Sequence, residues 1–155
     1  MNGVIPDSFF GRIGGIYCAA ARQIDRLQSL LLLAFRLYVA RVFFMSGLTK
    51  IHDWSVTVAL FTNEYHVPAL PPGIAALMGT AVELSMPLLL ALGLATRFGA
   101  FILFLFNIIA VVSYAALPDI AVKDHLLWGM LILVVLVFGP GKISLDYWLE
   151  GRRAR

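Results

Sequence analysis

Long apolar runs separated by short polar or proline-bearing connections dominate this chain. They lie at about Gln28–Thr49, Gly73–Leu94, Phe98–Leu117 and His125–Phe138. Helices that are apolar all round belong in a core or in lipid. At about 1.5 Å of rise per residue the first three are long enough to cross a bilayer. The fourth has about fourteen strongly apolar residues, so it needs tilt or an extension back to Val122. Only the connection Lys50–Pro72 is long. Short connections pair neighbouring helices antiparallel. The pattern therefore predicts an all-α integral membrane protein, a four-helix antiparallel bundle over residues 28–148, with residues 149–155 as a basic cytoplasmic tail.

Residues 1–27 follow a different rule. Projected at about 100° per residue, Phe9, Phe10, Ile13, Tyr17, Ile24 and Leu27 share one side, and Arg12, Arg22, Gln23 and Arg26 the other. This predicts an amphipathic interfacial helix on the membrane surface, with a partner-docking helix as the alternative. Gly14 and Gly15 weaken it. The segment lacks the uninterrupted apolar core of a cleavable signal. In the long connection, Trp54–Tyr65 reads as a short helix and Val67–Pro72 as an extended stretch. Gly139-Pro140-Gly141 ends the last run, and Ser144 is placed to cap a final short helix.

Composition agrees. The chain is 61% hydrophobic and 14% charged, with mean hydropathy +0.88, against roughly 45–50% and about 25% for soluble domains. Cys18 is the sole cysteine, which excludes an intramolecular disulfide, a CxxC redox pair and a cysteine zinc site. With four spans, the basic N-terminal segment, Arg97, and the C-terminal Lys142, Arg152, Arg153 and Arg155 fall on one side. The positive-inside rule places that side, and both termini, in the cytoplasm. The bilayer is the expected partner of these basic residues, not nucleic acid.

Arg36, Arg41, Glu83 and Asn107 interrupt the apolar runs, where a charge is costly and marks a functional or structural site. By helical rise, Arg41 lies about 3 Å to one side of mid-depth and Arg36 about 4–5 Å to the other. Glu83 and Asn107 are central in their spans. Arg41–Glu83 is then the natural ion pair, with Asn107 completing the network. The network is either a clasp that orients the bundle or a polar pocket for a ligand headgroup. Arg36, about 140° around the helix from Arg41, is expected to snorkel or to meet Tyr38, Ser85 or a lipid phosphate.

A second polar cluster, Lys50, His52, Asp53, Asp124 and His125, falls at the opposite membrane face from the termini. Its spacing matches no metal signature, so exposed loop charge is the expected role and no metal site is assigned. Tyr114 and Trp128 are either interfacial anchors or the walls of a pocket for a flat ring. No span carries a histidine near mid-depth to ligate haem. No dinucleotide fingerprint, P-loop or HExxH is present.

Three stretches resemble the DoxX family. Arg41-Val-Phe-Phe-Met-Ser-Gly47-Leu-Thr-Lys50-Ile is similar to its first-span signature. Glu83 with Leu88-Leu-Leu-Ala-Leu-Gly93-Leu-Ala-Thr96-Arg97 is similar to its second. Gly139-Pro-Gly-Lys-Ile-Ser144-Leu-Asp146 is similar to its closing motif. The resemblance implies a small four-helix protein of the bacterial or archaeal inner membrane. It implies a non-catalytic or quinone-binding membrane subunit of a thiosulfate-, thiol- or quinone-linked oxidoreductase system, with soluble or membrane redox partner subunits or a homo-oligomer. Quinone is the cofactor this reading admits. A non-enzymatic scaffold or a small-solute transporter held by a structural Arg–Glu clasp is the alternative.

Overall fold

A computed structural model describes residues 7–114 and 116–153. The described chain forms helices α1 (Asp7–His52), α2 (Trp54–Asn63), α3 (Pro72–Leu92), α4 (Thr96–Ser113), α5 (Asp119–Phe138) and α6 (Leu145–Arg153). Four segments are long and apolar enough to cross a membrane: Leu27–His52, Pro72–Leu92, Thr96–Ser113 and Asp119–Phe138. The fourth span thus begins six residues earlier than its apolar run, at Asp119 behind Pro118. This is a multi-pass membrane protein whose four spans pack as a bundle, α1 against α3 and α5, and α4 against α3 and α5.

The expected boundary at residue 27 is not a break in the backbone. α1 runs through it as one helix of 46 residues, because nothing between Asp7 and His52 is a proline and its four glycines are tolerated. The opposition of the two faces of residues 1–27 rests largely on side chains outside the described residues.

Each helix end has a local cause. Asp53 caps α2, its carboxylate accepting from Val56 N at 3.0 Å and from Ser55 Oγ at 2.8 Å. Pro72 opens α3 where a missing N–H costs nothing. Gly93 closes α3 at φ +68°, a conformation that disfavours a side chain. A Cβ there would also lie 2.6 Å from Ser144 Cβ. Ser144 caps α6, accepting from Tyr147 N at 3.2 Å.

Val39, Ala40, Phe43, Leu90, Leu103, Ile132 and Val135 form the core. Glycines set its closest approaches: a Cβ on Gly47 of α1 would meet Leu84 Cδ2 at 2.9 Å, and one on Gly99 of α4 would meet Leu90 Cδ1 at 2.9 Å. Such contacts bring spans together where lipid supplies no hydrophobic drive. Leu77, Val112, Met130 and Val137 stay exposed on the outside of the bundle, facing the surrounding apolar medium.

Candidate functional site

Among the described residues, the buried positions of α1 are Leu32, Arg36, Val39, Ala40, Phe43 and Gly47, a three-and-four spacing that defines its inward stripe. Lys50 continues it. Arg41 is two residues from both Val39 and Phe43, about 200° around the helix, and it is exposed. The expected Arg41–Glu83 pair therefore does not form. Glu83 lies level with Gly47, where a Cβ would meet the Glu83 Cβ at 3.1 Å, about 9 Å of helical rise beyond Arg41; both the level and the direction around the helix separate the two.

Glu83 of α3 pairs instead with Lys50. The ammonium Nζ lies 2.8 Å from Oε1 and 2.7 Å from Oε2. Ser46, one turn before Lys50, donates to Oε1 at 3.1 Å and accepts from Nζ at 3.0 Å. The carboxylate is nearly enclosed, and the lysine arm reaches it from the end of the span. Pro87 stands four residues after Glu83, so the Glu83 carbonyl lacks its usual helical donor as well.

Asn107 of α4 does not join this group. Its amide faces α5: Nδ2 donates to the His125 carbonyl at 2.9 Å, and Oδ1 lies 2.8 Å from His125 Nδ1. Gly129 makes room, since a Cβ there would sit 3.1 Å from Asn107 Nδ2.

Arg36 lies at the other end of the bundle and is 1% exposed. It neither snorkels nor meets Tyr38 or Ser85. Nε donates to Leu90 O at 2.9 Å, Nη1 to Ile143 O at 3.1 Å and to Pro140 O, and Nη2 to Ala91 O at 3.4 Å. Its fork thus satisfies carbonyls at the end of α3 and in the connection after α5. Beside it, Asp146 caps α4 through both oxygens, accepting from Ala95 N and Thr96 N at 2.8 Å each. The closing Gly-Pro-Gly and Ser-Leu-Asp motif is, in this geometry, a latch between helix ends.

The second polar cluster divides. Lys50 and His125 turn inward and line one cavity. His52 and Asp124 are exposed, and Asp53 is used as a cap. The Val56 N–H bond and then the Ser55 hydroxyl hold the Asp53 carboxyl below its ordinary range. Among the described residues no group of three His, Cys, Asp or Glu could hold a metal ion.

The cavity measures about 440 Å³. Its floor holds Lys50, Glu83 and Ser46; Tyr114 and Trp128 are in its wall. Phe43 and Trp128 meet edge to face, centroids 5.9 Å apart. The α2 side supplies Phe61 and Tyr65, whose rings lie 4.9 Å apart, and Tyr65 in turn lies 4.9 Å from Tyr114. An antiparallel bridge between Tyr65 and Tyr114, with His66 N donating to Ser113 O at 2.8 Å, stitches this cover to the end of α4. Burial first, then the charges of Glu83 and Glu64, push the Tyr65 phenol above its ordinary range, so it is a neutral donor at any physiological pH. Met78, Leu105 and Ile109 line the cavity and are also exposed on the bundle surface. The cavity therefore reaches the lipid-facing flank between α3 and α4.

The DoxX family profile matches residues 31–116. This chain belongs to the DoxX family. The match spans α1 from Leu31, the α2 cover, α3 and α4, and so includes Ser46, Lys50, Glu83 and Asn107 of the site; it ends before α5 and the closing latch of this DoxX protein. No curated protein and no solved structure matches the chain significantly.

Sequence reasoning missed Ser46 as a partner of Glu83, and it missed Phe61, Tyr65 and Ser113 as cavity walls. The Ser46–Lys50 spacing of four, continuing the Val39–Phe43 stripe, was the available signal for the first. No periodicity in the long connection announces that Tyr65 turns back onto Tyr114.

Proposed function

We propose that this DoxX protein is a membrane subunit of a thiosulfate-, thiol- or quinone-linked redox system. In this reading it sits in a bacterial or archaeal inner membrane with both termini cytoplasmic, and its cavity holds the ring of a neutral lipophilic carrier such as a quinone. One observation carries the reading: an apolar, aromatic-walled cavity of about 440 Å³ reaches the lipid-facing flank and ends on buried polar groups. Small-ligand sites typically enclose roughly 300–1,000 Å³ and combine apolar walls with a few fixed polar groups.

Charge supports a neutral ligand. Lys50 is the cation at the cavity floor, and Glu83 and Ser46 already take its hydrogen bonds. Among the described residues that line the cavity, an anionic solute would find no lysine or arginine free of a partner, and it would face the Glu83 carboxylate across a low-dielectric space. Trp128 and Tyr114 offer faces for a ring to stack on.

Titration of the purified protein with a short-chain quinone, with mass spectrometry of co-purified lipids, tests this. Saturable binding is expected, weakened by Ala110→Phe, which fills the cavity. A scaffold or small-solute transporter held by a structural ion clasp is the second reading, favoured by the mutual bonds of Lys50, Glu83 Oε1 and Ser46. A folded sample that neither retains nor binds quinone, alone or with redox partner subunits, would decide for it.

A further inference from the structure

His125 lines the cavity from α5, and the Asn107 amide fixes where its proton lies. Asn107 Nδ2 faces the His125 carbonyl, which can only accept. The amide nitrogen must point there, so the amide oxygen points at the ring. That oxygen also only accepts, so Nδ1 carries the ring proton. In the neutral imidazole Nε2 is then a lone-pair acceptor. Nδ1 is the ring nitrogen engaged by Asn107; no hydrogen bond of Nε2 is found among the described residues.

Two donors without partners line the same cavity. The Ser113 hydroxyl is in a residue 3% exposed, and the Trp128 indole N–H is buried; neither has a hydrogen-bond partner among the described residues. The Trp128 ring meets the His125 ring edge to face at 4.8 Å. Glu83 Oε2 is an acceptor of the same cavity, without a hydrogen bond and held only by its ion pair with Lys50; near Trp128 the apolar space carries the neutral acceptor Nε2 with unpaired donors. A ring hydroxyl suits that set, because it can donate to Nε2 while its oxygen accepts from Trp128 or Ser113. A ring carbonyl can satisfy the donors only, and sets its lone pair against that of Nε2.

We propose that His125, held as the Nδ1–H tautomer by Asn107, is a specificity-determining residue that reads a hydroxyl on the ring ligand. The cavity then prefers the hydroxyl-bearing form of a ring, a quinol or phenol, over its carbonyl form. This rests on the ring-binding reading above.

The test uses the full chain in nanodiscs, titrated with a short-chain benzoquinone and, under argon, with its hydroquinone. Wild type is expected to bind the hydroquinone about three- to tenfold more tightly, the worth of one net hydrogen bond. His125→Phe keeps a ring against Trp128; it should erase the preference and leave quinone affinity largely in place. Asn107→Leu, which releases the tautomer, should shrink the preference and serves if His125→Phe does not fold. Equal binding of both forms by wild type, or a preference that survives these substitutions, overturns the inference while leaving the ring-binding reading standing. Binding of neither form overturns both.

Discussion

Lys50 and Glu83, the one at the end of α1 and the other in mid-span of α3, form a two-oxygen ion pair at 2.8 and 2.7 Å. The pair closes the polar floor of the cavity and ties α1 to α3 beside the Gly47 contact.

Breaking it from one side leaves a buried charge. Lys50→Met or Glu83→Leu should each cost about 2–4 kcal/mol, somewhat below the range for fully enclosed pairs because the lysine retains some exposure. The double change Lys50→Met with Glu83→Leu should recover part of this loss. Arg41→Ala removes no contact to Glu83 and should not reproduce this loss. Thermal unfolding in one detergent would rank all four; a large Arg41 effect with neutral Lys50 variants would contradict the geometry.

Arg36 gathers carbonyls from two chain segments that are distant in sequence. Arg36→Met should cost roughly 3 kcal/mol, since buried carbonyls lose their donors. Arg36→Lys should not restore stability, because an ammonium cannot reproduce the planar fork. Melting of the two variants in parallel checks this, and recovery by lysine would argue for charge alone.

Asp146 reaches back to the start of α4. Asp146→Ala should lower stability by about 1–2 kcal/mol, as for a lost N-cap. Faster hydrogen exchange at Ala95 and Thr96, with little change in α3, would locate the effect. Uniform exchange across the bundle would not fit a local cap.

The Asp53 carboxyl has its proton affinity lowered in the fold. Its contribution to capping α2 is therefore present above the ordinary carboxylate range and lost as pH falls through its lower folded value. Protection of the Val56 amide against hydrogen exchange, relative to its intrinsic rate at each pH, should fall in acid and stay flat through neutral pH. Asp53→Asn should flatten the acid limb, and an unchanged limb in that variant would assign the effect elsewhere.

The proposed orientation is open to chemistry. In a Cys18→Ser background, cysteines at Asp53 and Asp119 should react with an impermeant thiol reagent in intact cells. Cysteines at Arg97 and Arg153 should not. Labelling at Arg97 from outside would reverse the topology.

The sequence alone determined the bundle. Runs of apolar residues of spanning length, ended by Gly-Pro-Gly, Pro71-Pro72 and Asp53, leave few alternatives once backbone groups must bond within helices in lipid. Rise along a helix is fixed by the backbone, so Glu83 and Asn107 could be placed within their own spans. Which residue meets which could not be read. On α1, Gly47 packs against Leu84 and the Glu83 Cβ, which sets both the rotation and the level of α1 against α3 and brings Ser46 and Lys50, not Arg41, to the carboxylate. Arg36 finds its partners only when the turn at Gly93 and the connection after α5 meet around it. The cavity depends on Tyr65 folding back onto Tyr114 and on α5 turning His125 toward Asn107. These are long-range packing outcomes, decided by how side chains from separate helices share one space, and no local pattern in the chain encodes them.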